Sequence, residues 1–227
     1  MAQASETVLA HHFEDIDQQN ESAVLGMWLF LAQEILFFGG LFAVYFVYRV
    51  KYPEAWAAGS SLLDIRYGGF NTVVLLVSSF TMAVSVNAAQ TGKQQRLMIG
   101  MLTTLALGLV FVGVKYIEYS EKWAHHLVPG PYFQYHTDIA KYVDADPGNV
   151  QIFFCLYFVM TGMHAFHMIV GVALLIWLLT LGYKGRFGPK SFMKVELFGF
   201  YWHFVDIVWV FLFPLLYLID RSWMLQG

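Results

Sequence analysis

VELFGFYWHFVDIVWVFLFPLLYLI, residues 195–219, is a run of apolar and aromatic residues interrupted only by Glu196, His203 and Asp206. About 20 apolar residues in a helix cross a hydrocarbon core of about 30 Å, so this run is long enough to span a bilayer. Four further stretches meet the same test: 23–48, 70–89, 97–117 and 150–181. Together they predict an all-α fold, a polytopic membrane helix bundle with five transmembrane helices. A polar tail, 1–22, precedes them. An external loop, 118–149, separates the third and fourth spans and is punctuated by Pro129-Gly130-Pro131 and Asp146-Pro147-Gly148. No internal repeat or linker divides the chain, which reads as a single membrane domain over 1–227.

Composition agrees with this class. Of 227 residues, 58% are hydrophobic and only 13% charged, too apolar a mix for an ordinary soluble domain. A net charge of −3 offers no basic surface, which excludes nucleic acid as a partner. The N-terminal tail lacks the basic and apolar regions of a secretory signal. Cys155 is the one cysteine, which rules out an internal disulfide, a thiolate zinc site and a two-cysteine copper site.

Orientation follows from Lys and Arg. With the N-terminus cytoplasmic, the cytoplasmic loops hold Lys93, Arg96, Lys184, Arg186, Lys190 and Lys194. The opposite side holds Arg49, Lys51, Arg66, Lys122, Lys141 and Arg221. The counts tie, but the first set sits in two short loops, where the rule carries most weight. The expected topology is therefore N-terminus in, C-terminus out.

Polar residues inside the spans carry the functional question. Glu34 lies mid-helix, where an ionisable residue costs about 2.5–3.5 kcal/mol on insertion. Fourteen Leu, Ile, Phe and Val residues in the first span contribute about −4 to −8 kcal/mol, so the helix inserts and Glu34 must face protein or water. It is either a proton-handling or partner-contacting acid, or a hydrogen-bonded member of the bundle. Lys115, Glu118 and Lys122 read as an interfacial ion-pair ladder, Glu118 and Lys122 at i, i+4, snorkelling toward water. A lipid-headgroup site is the other reading. His164 and His167 share one helical face about 60° apart and, with His203, suggest a metal or haem site. A bis-histidine haem, however, needs opposed imidazoles, and a catalytic metal needs three or more ligands. Glu196, His203 and Asp206 form one polar stripe on the last helix, a means of orienting helices.

At these residues the chain resembles subunit III of the haem–copper oxygen reductases. The resemblance rests on MWLFLAQEILFFGGLFAVYF (27–46), KYIEYSE (115–121), TGMHAFHMIVG (161–171) and ELFGFYWHFVDIVWVFLFPLLYL (196–218). These are similar to the family's W-x-F-x-x-x-E, K-x-x-E-Y, T-G-x-H-x-x-H-x-x-x-G and E-x(6)-H-F-V-D-x-V-W patterns. The resemblance implies a non-catalytic core subunit of a respiratory terminal oxidase, in which electron transport to oxygen is coupled to proton translocation. It implies that the subunit supports assembly, stability and proton uptake, as a short bacterial member without the two extra helices of longer relatives. It further implies no catalytic or metal residue and no cofactor in this chain, with haems and copper in partner subunits I and II. Glu34, Lys115, Glu118, His164, His167, Glu196, His203 and Asp206 would organise the bundle and contact phospholipid or other subunits. A larger respiratory supercomplex is a further possible partner. His11 and His12 in the tail can buffer protons near an uptake entrance, since imidazole titrates near neutral pH. The alternative is a haem-b-binding membrane anchor or electron carrier using His164, His167 and His203.

Overall fold

The computed structural model describes residues 11, 13–135, 145–189 and 191–219. The described residues form six helices: α1 Ile16–Lys51, α2 Pro53–Ser61, α3 Ile65–Gln90, α4 Gln94–Ala124, α5 Pro147–Tyr183 and α6 Met193–Tyr217. All but α2 are long and apolar enough to cross a membrane. The all-α architecture with five spans is as expected from the sequence.

Boundaries differ because caps, rather than hydropathy, end helices. The first span begins at Ile16 instead of residue 23. Asp15 Oδ1 accepts the Gln18 N–H at 2.7 Å, and the Gln18 side chain reaches back to the Glu14 N–H at 2.8 Å. This reciprocal N-terminal cap starts a helix in polar sequence. Asp146 likewise caps α5, accepting the Asn149 N–H at 3.0 Å, with Pro147 as first helical residue. The C-termini of α3, α4 and α5 share one device. A residue at positive φ (Gly92, His126, Gly185) follows the helix, and the next N–H returns to a carbonyl five residues back: Lys93 to Ala88, Leu127 to Lys122, Arg186 to Leu181. The short α2, started by Pro53 and buried from Ala55 to Ser60, lies where no helix was expected. The loop expected over 118–149 begins as helix, since α4 runs on to Ala124.

The chain divides into two compact units. One comprises the chain up to Ile35 with Val74–Val110 and His167–Ile207. Its centre is Trp202, fully buried. A Cβ on Gly108 or on Gly171 would come within 2.9 Å of that indole, so both glycines let helix backbones approach one large ring. The second unit comprises Leu36–Val73, Phe111–Phe166 and the chain from Val208. Trp56, Phe153 and Trp209 are fully buried in it, with Phe153 so close to Gly59 that a Cβ there would overlap its ring. The outer faces are apolar, with Leu36 77% and Phe80 69% exposed, which suits contact with lipid.

Candidate functional site

Within the first unit, Glu34 on α1 meets His167 on α5, Oε2 to Nε2 at 3.1 Å. The backbone carbonyl of His167 also accepts the Tyr201 hydroxyl at 2.8 Å. One turn of α5 is thereby tied to both α1 and α6. The acid that composition marked as costly has a specific partner, and that partner is one of the two histidines considered for haem.

The same unit holds the α6 stripe. Glu196 accepts a hydrogen bond from Gln90 Nε2 at 3.3 Å. His203 Nδ1 bonds the Ser79 hydroxyl at 2.7 Å, and Trp202 Nε1 donates to Ser78 at 3.0 Å. Adjacent serines on α3 therefore receive adjacent residues of α6. Asp206 is 3% exposed and lies beside Ser79, but its carboxyl makes no hydrogen bond of ordinary geometry among the described residues. Ser78 and Ser79 were missed in the sequence. A Ser-Ser pair in an apolar run is common, and only its opposition to Trp202 and His203 marks it.

In the second unit, Lys115, Glu118 and Lys122 depart from expectation. They are buried, at 3%, 0% and 6% exposure, so they do not snorkel. The ion pair is Lys115 Nζ to Glu118 Oε2 at 3.0 Å, spaced i, i+3. Lys122 turns away and donates to the Leu62 carbonyl at 2.7 Å. Two buried phenols, Tyr157 on α5 and Tyr217 on α6, donate to Glu118 Oε1, and their oxygens accept from Lys115 at 3.2 and 3.1 Å. The ammonium also lies 5.2 Å from the Trp209 ring centroid and 5.0 Å from that of Tyr119, cation–π contacts that keep a charge in an apolar setting. The physical reason is reach. One face of the last turns of α4, carrying Lys115, Glu118 and Lys122, is buried, and aromatic hydroxyls from two other helices replace water there.

His164 belongs to this second unit, its ring between those of Phe111 and Trp209 at 5.3 and 5.2 Å. The three imidazoles thus have separate settings: Glu34 for His167, Ser79 for His203, aromatic rings for His164. Among the described residues no three His, Cys, Asp or Glu side chains converge as metal ligands. His11 is exposed, and His12 lies outside the described residues. The arrangement ties helices together by polar pins within the membrane-spanning helices.

Comparison with known proteins gives this arrangement a context. The profile of the cytochrome c oxidase subunit III family matches residues 4–132 and 132–221. Quinol oxidase subunit 3 of Bacillus spizizenii is 30% identical, over 86% of this chain and 86% of the relative. A probable cytochrome c oxidase subunit 3 of Nocardia farcinica is 32% identical, over 86% of this chain and 87% of its own length. A haem–copper oxidase subunit I+III of Aeropyrum pernix is 31% identical over 85% of this chain, which spans only 22% of that longer protein.

Proposed function

This chain belongs to the cytochrome c oxidase subunit III family, and on that premise we propose that it holds no redox centre and acts as an assembly and stability subunit for the catalytic subunit of its oxidase. It is subunit III of a haem–copper oxidase and a multi-pass membrane protein. The observation that carries the reading is the allocation of its intramembrane polar residues. Glu34, His167, Lys115, Glu118 and Ser79 with His203 each bond another helix of the chain or a near neighbour, and among the described residues no set of side chains converges as metal ligands.

The partners are subunits I and II, which carry the haems and copper. A relative in which I and III are named together as one chain supports direct contact with subunit I. Phospholipid is a second partner. An apolar groove of about 470 Å³, lined by Met27, Phe30, Leu174, Trp177 and Phe198 with the exposed Lys194, suits an acyl chain beneath an anionic headgroup. The chain sits in a bacterial plasma membrane with its N-terminus cytoplasmic, and His11 and His12 buffer protons for uptake by the catalytic subunit.

The test is isolation of the tagged chain in mild detergent. The expected result is co-isolation of haem-bearing subunits, with a Soret band that disappears once the partners are stripped away. A Soret band retained by the single chain, or no haem-bearing partner at all, overturns the reading. His11→Ala/His12→Ala is expected to slow proton uptake by the assembled oxidase at high pH; unchanged uptake removes the buffering role.

A further inference from the structure

The last turns of α4 separate their charges from their rings. Lys115, Glu118 and Lys122 are buried, and Glu121 accepts the Tyr67 hydroxyl at 2.9 Å. The exposed side carries Tyr116 and Trp123, 74% and 73% accessible. They continue a stripe in which Leu102, Leu109, Tyr116 and Trp123 recur every seven residues along one exposed face of the helix. Ser120, exposed between the two rings, donates to the Tyr116 carbonyl at 2.8 Å, so its hydroxyl is satisfied within the helix. Beyond Ala124 the chain forms a closed loop. His126 turns it at φ 54°, and the Gln134 N–H returns to the His126 carbonyl at 3.0 Å. Leu127 is buried, Phe133 packs on Phe154 with ring centroids 6.0 Å apart, and Gln151 donates to the Gly130 carbonyl at 3.4 Å. The loop is thereby fastened to α5. It brings Tyr132, 82% exposed, to the same open cavity of about 310 Å³ that Trp123, Pro129 and Pro131 line. The two prolines have no N–H, which reduces the donors left unpaired outside bulk water.

We propose that Trp123, Tyr132 and the loop between them form an interfacial anchor, seated in the phospholipid headgroup layer at the C-terminal end of α4, with headgroups filling the Trp123–Tyr132 cavity. This goes beyond the oxidase reading and needs only the membrane spans. Length carries it first. Arg96 is exposed near the other end of α4, and from Arg96 to Trp123 a helix rises about 40 Å. A bilayer with both headgroup regions is about 40–45 Å thick. With Arg96 at one headgroup surface, Trp123 therefore falls inside the opposite headgroup layer, short of bulk water. Residue type agrees. Tryptophan and tyrosine gather at that depth, where the ring body meets acyl chains and the N–H or O–H meets water. Continuity selects lipid as the occupant: the two rings extend the stripe that Leu102 and Leu109 present to hydrocarbon. The bilayer boundary thus lies at Trp123, beyond residue 117, where apolar sequence runs out.

The experiment uses the assembled complex in vesicles of phosphatidylethanolamine and phosphatidylglycerol. In a Cys155→Ser background, nitroxide labels on Trp123→Cys and, separately, on Tyr132→Cys report collisions with a water-soluble nickel chelate and with oxygen. Nickel collisions are expected to be several-fold below those of a label in water, with oxygen collisions retained. Water-like access to nickel at both positions overturns the anchor. Protection from nickel and oxygen together means a protein cover and overturns it as well. A second measurement leaves the chain unaltered. A phospholipid with a photoactivatable headgroup is expected to form adducts within residues 123–132, read by mass spectrometry of the digested chain. Headgroup adducts absent from this segment but present elsewhere on the chain overturn the proposal.

Discussion

Replacing Glu118 by alanine tests the account of the buried charge in the second unit. In the native chain the carboxylate receives Lys115 at 3.0 Å and the Tyr157 hydroxyl at 2.8 Å, with Tyr217 as a third donor. All four residues are at most 3% exposed. Glu118→Ala leaves an ammonium with no counter-ion at a site water does not reach, and it strips two phenols of their anionic acceptor. Breaking one side of a buried ion pair costs about 3–5 kcal/mol. For a chain of this size that corresponds to about 6–20 °C in Tm. Lys115→Met/Glu118→Leu removes both charges and leaves only the two hydroxyls to be satisfied. Its expected loss is smaller, about 1–2 kcal/mol. The assay is thermal unfolding of the detergent-solubilised chain, followed by intrinsic fluorescence or by loss of soluble protein. If the single substitution costs no more than the double one, the pair is not a mutually dependent buried unit. The reasoning about reach and desolvation then fails.

Other perturbations follow the same logic. Gly171→Ala and Gly108→Ala each place a Cβ 2.9 Å from the buried Trp202 indole, and each is expected to destabilise by about 1–3 kcal/mol through overpacking. Trp202→Phe in the Gly171→Ala background should recover part of that loss in the same unfolding assay. Tyr201→Phe deletes the hydroxyl bonded to the His167 carbonyl and is expected to cost about 1 kcal/mol. Glu34→Gln can keep a hydrogen bond to His167 and should be milder than Glu34→Ala; equal losses would mean that the 3.1 Å contact contributes through charge alone. His126→Gly relieves a non-glycine residue at φ 54° and is expected to raise stability slightly, read as a small increase in Tm.

The class of fold was legible because the bilayer imposes a length. Each span announces itself by about 20 apolar residues, and each polar residue within it by its cost of insertion. Helix ends were less legible. The cap at Asp15 and the three positive-φ terminations act through backbone hydrogen bonds that hydropathy does not register, so α1 starts earlier and α4 ends later than apolar length indicates. Lys115, Glu118 and Lys122 were read from spacing as a surface ladder. Spacing alone could not reveal that Tyr157 and Tyr217, from distant segments, arrive to replace water. Ser78 and Ser79 went unread for the same reason, since a serine acquires meaning only from what faces it.

What the sequence determined by itself was a membrane bundle, its five spans, its family and the residues worth asking about. Those properties are local: composition, periodicity and short motifs survive without knowledge of neighbours. Which of those residues meet was left to the tertiary structure. It sent His167 to Glu34, His203 to Ser79 and His164 between two aromatic rings, and so turned a possible metal set into three separate helix contacts. Hydrogen bonds at 3 Å depend on residues over a hundred positions apart in the chain. No local pattern encodes that approach; helix packing around Trp202 and Trp209 does.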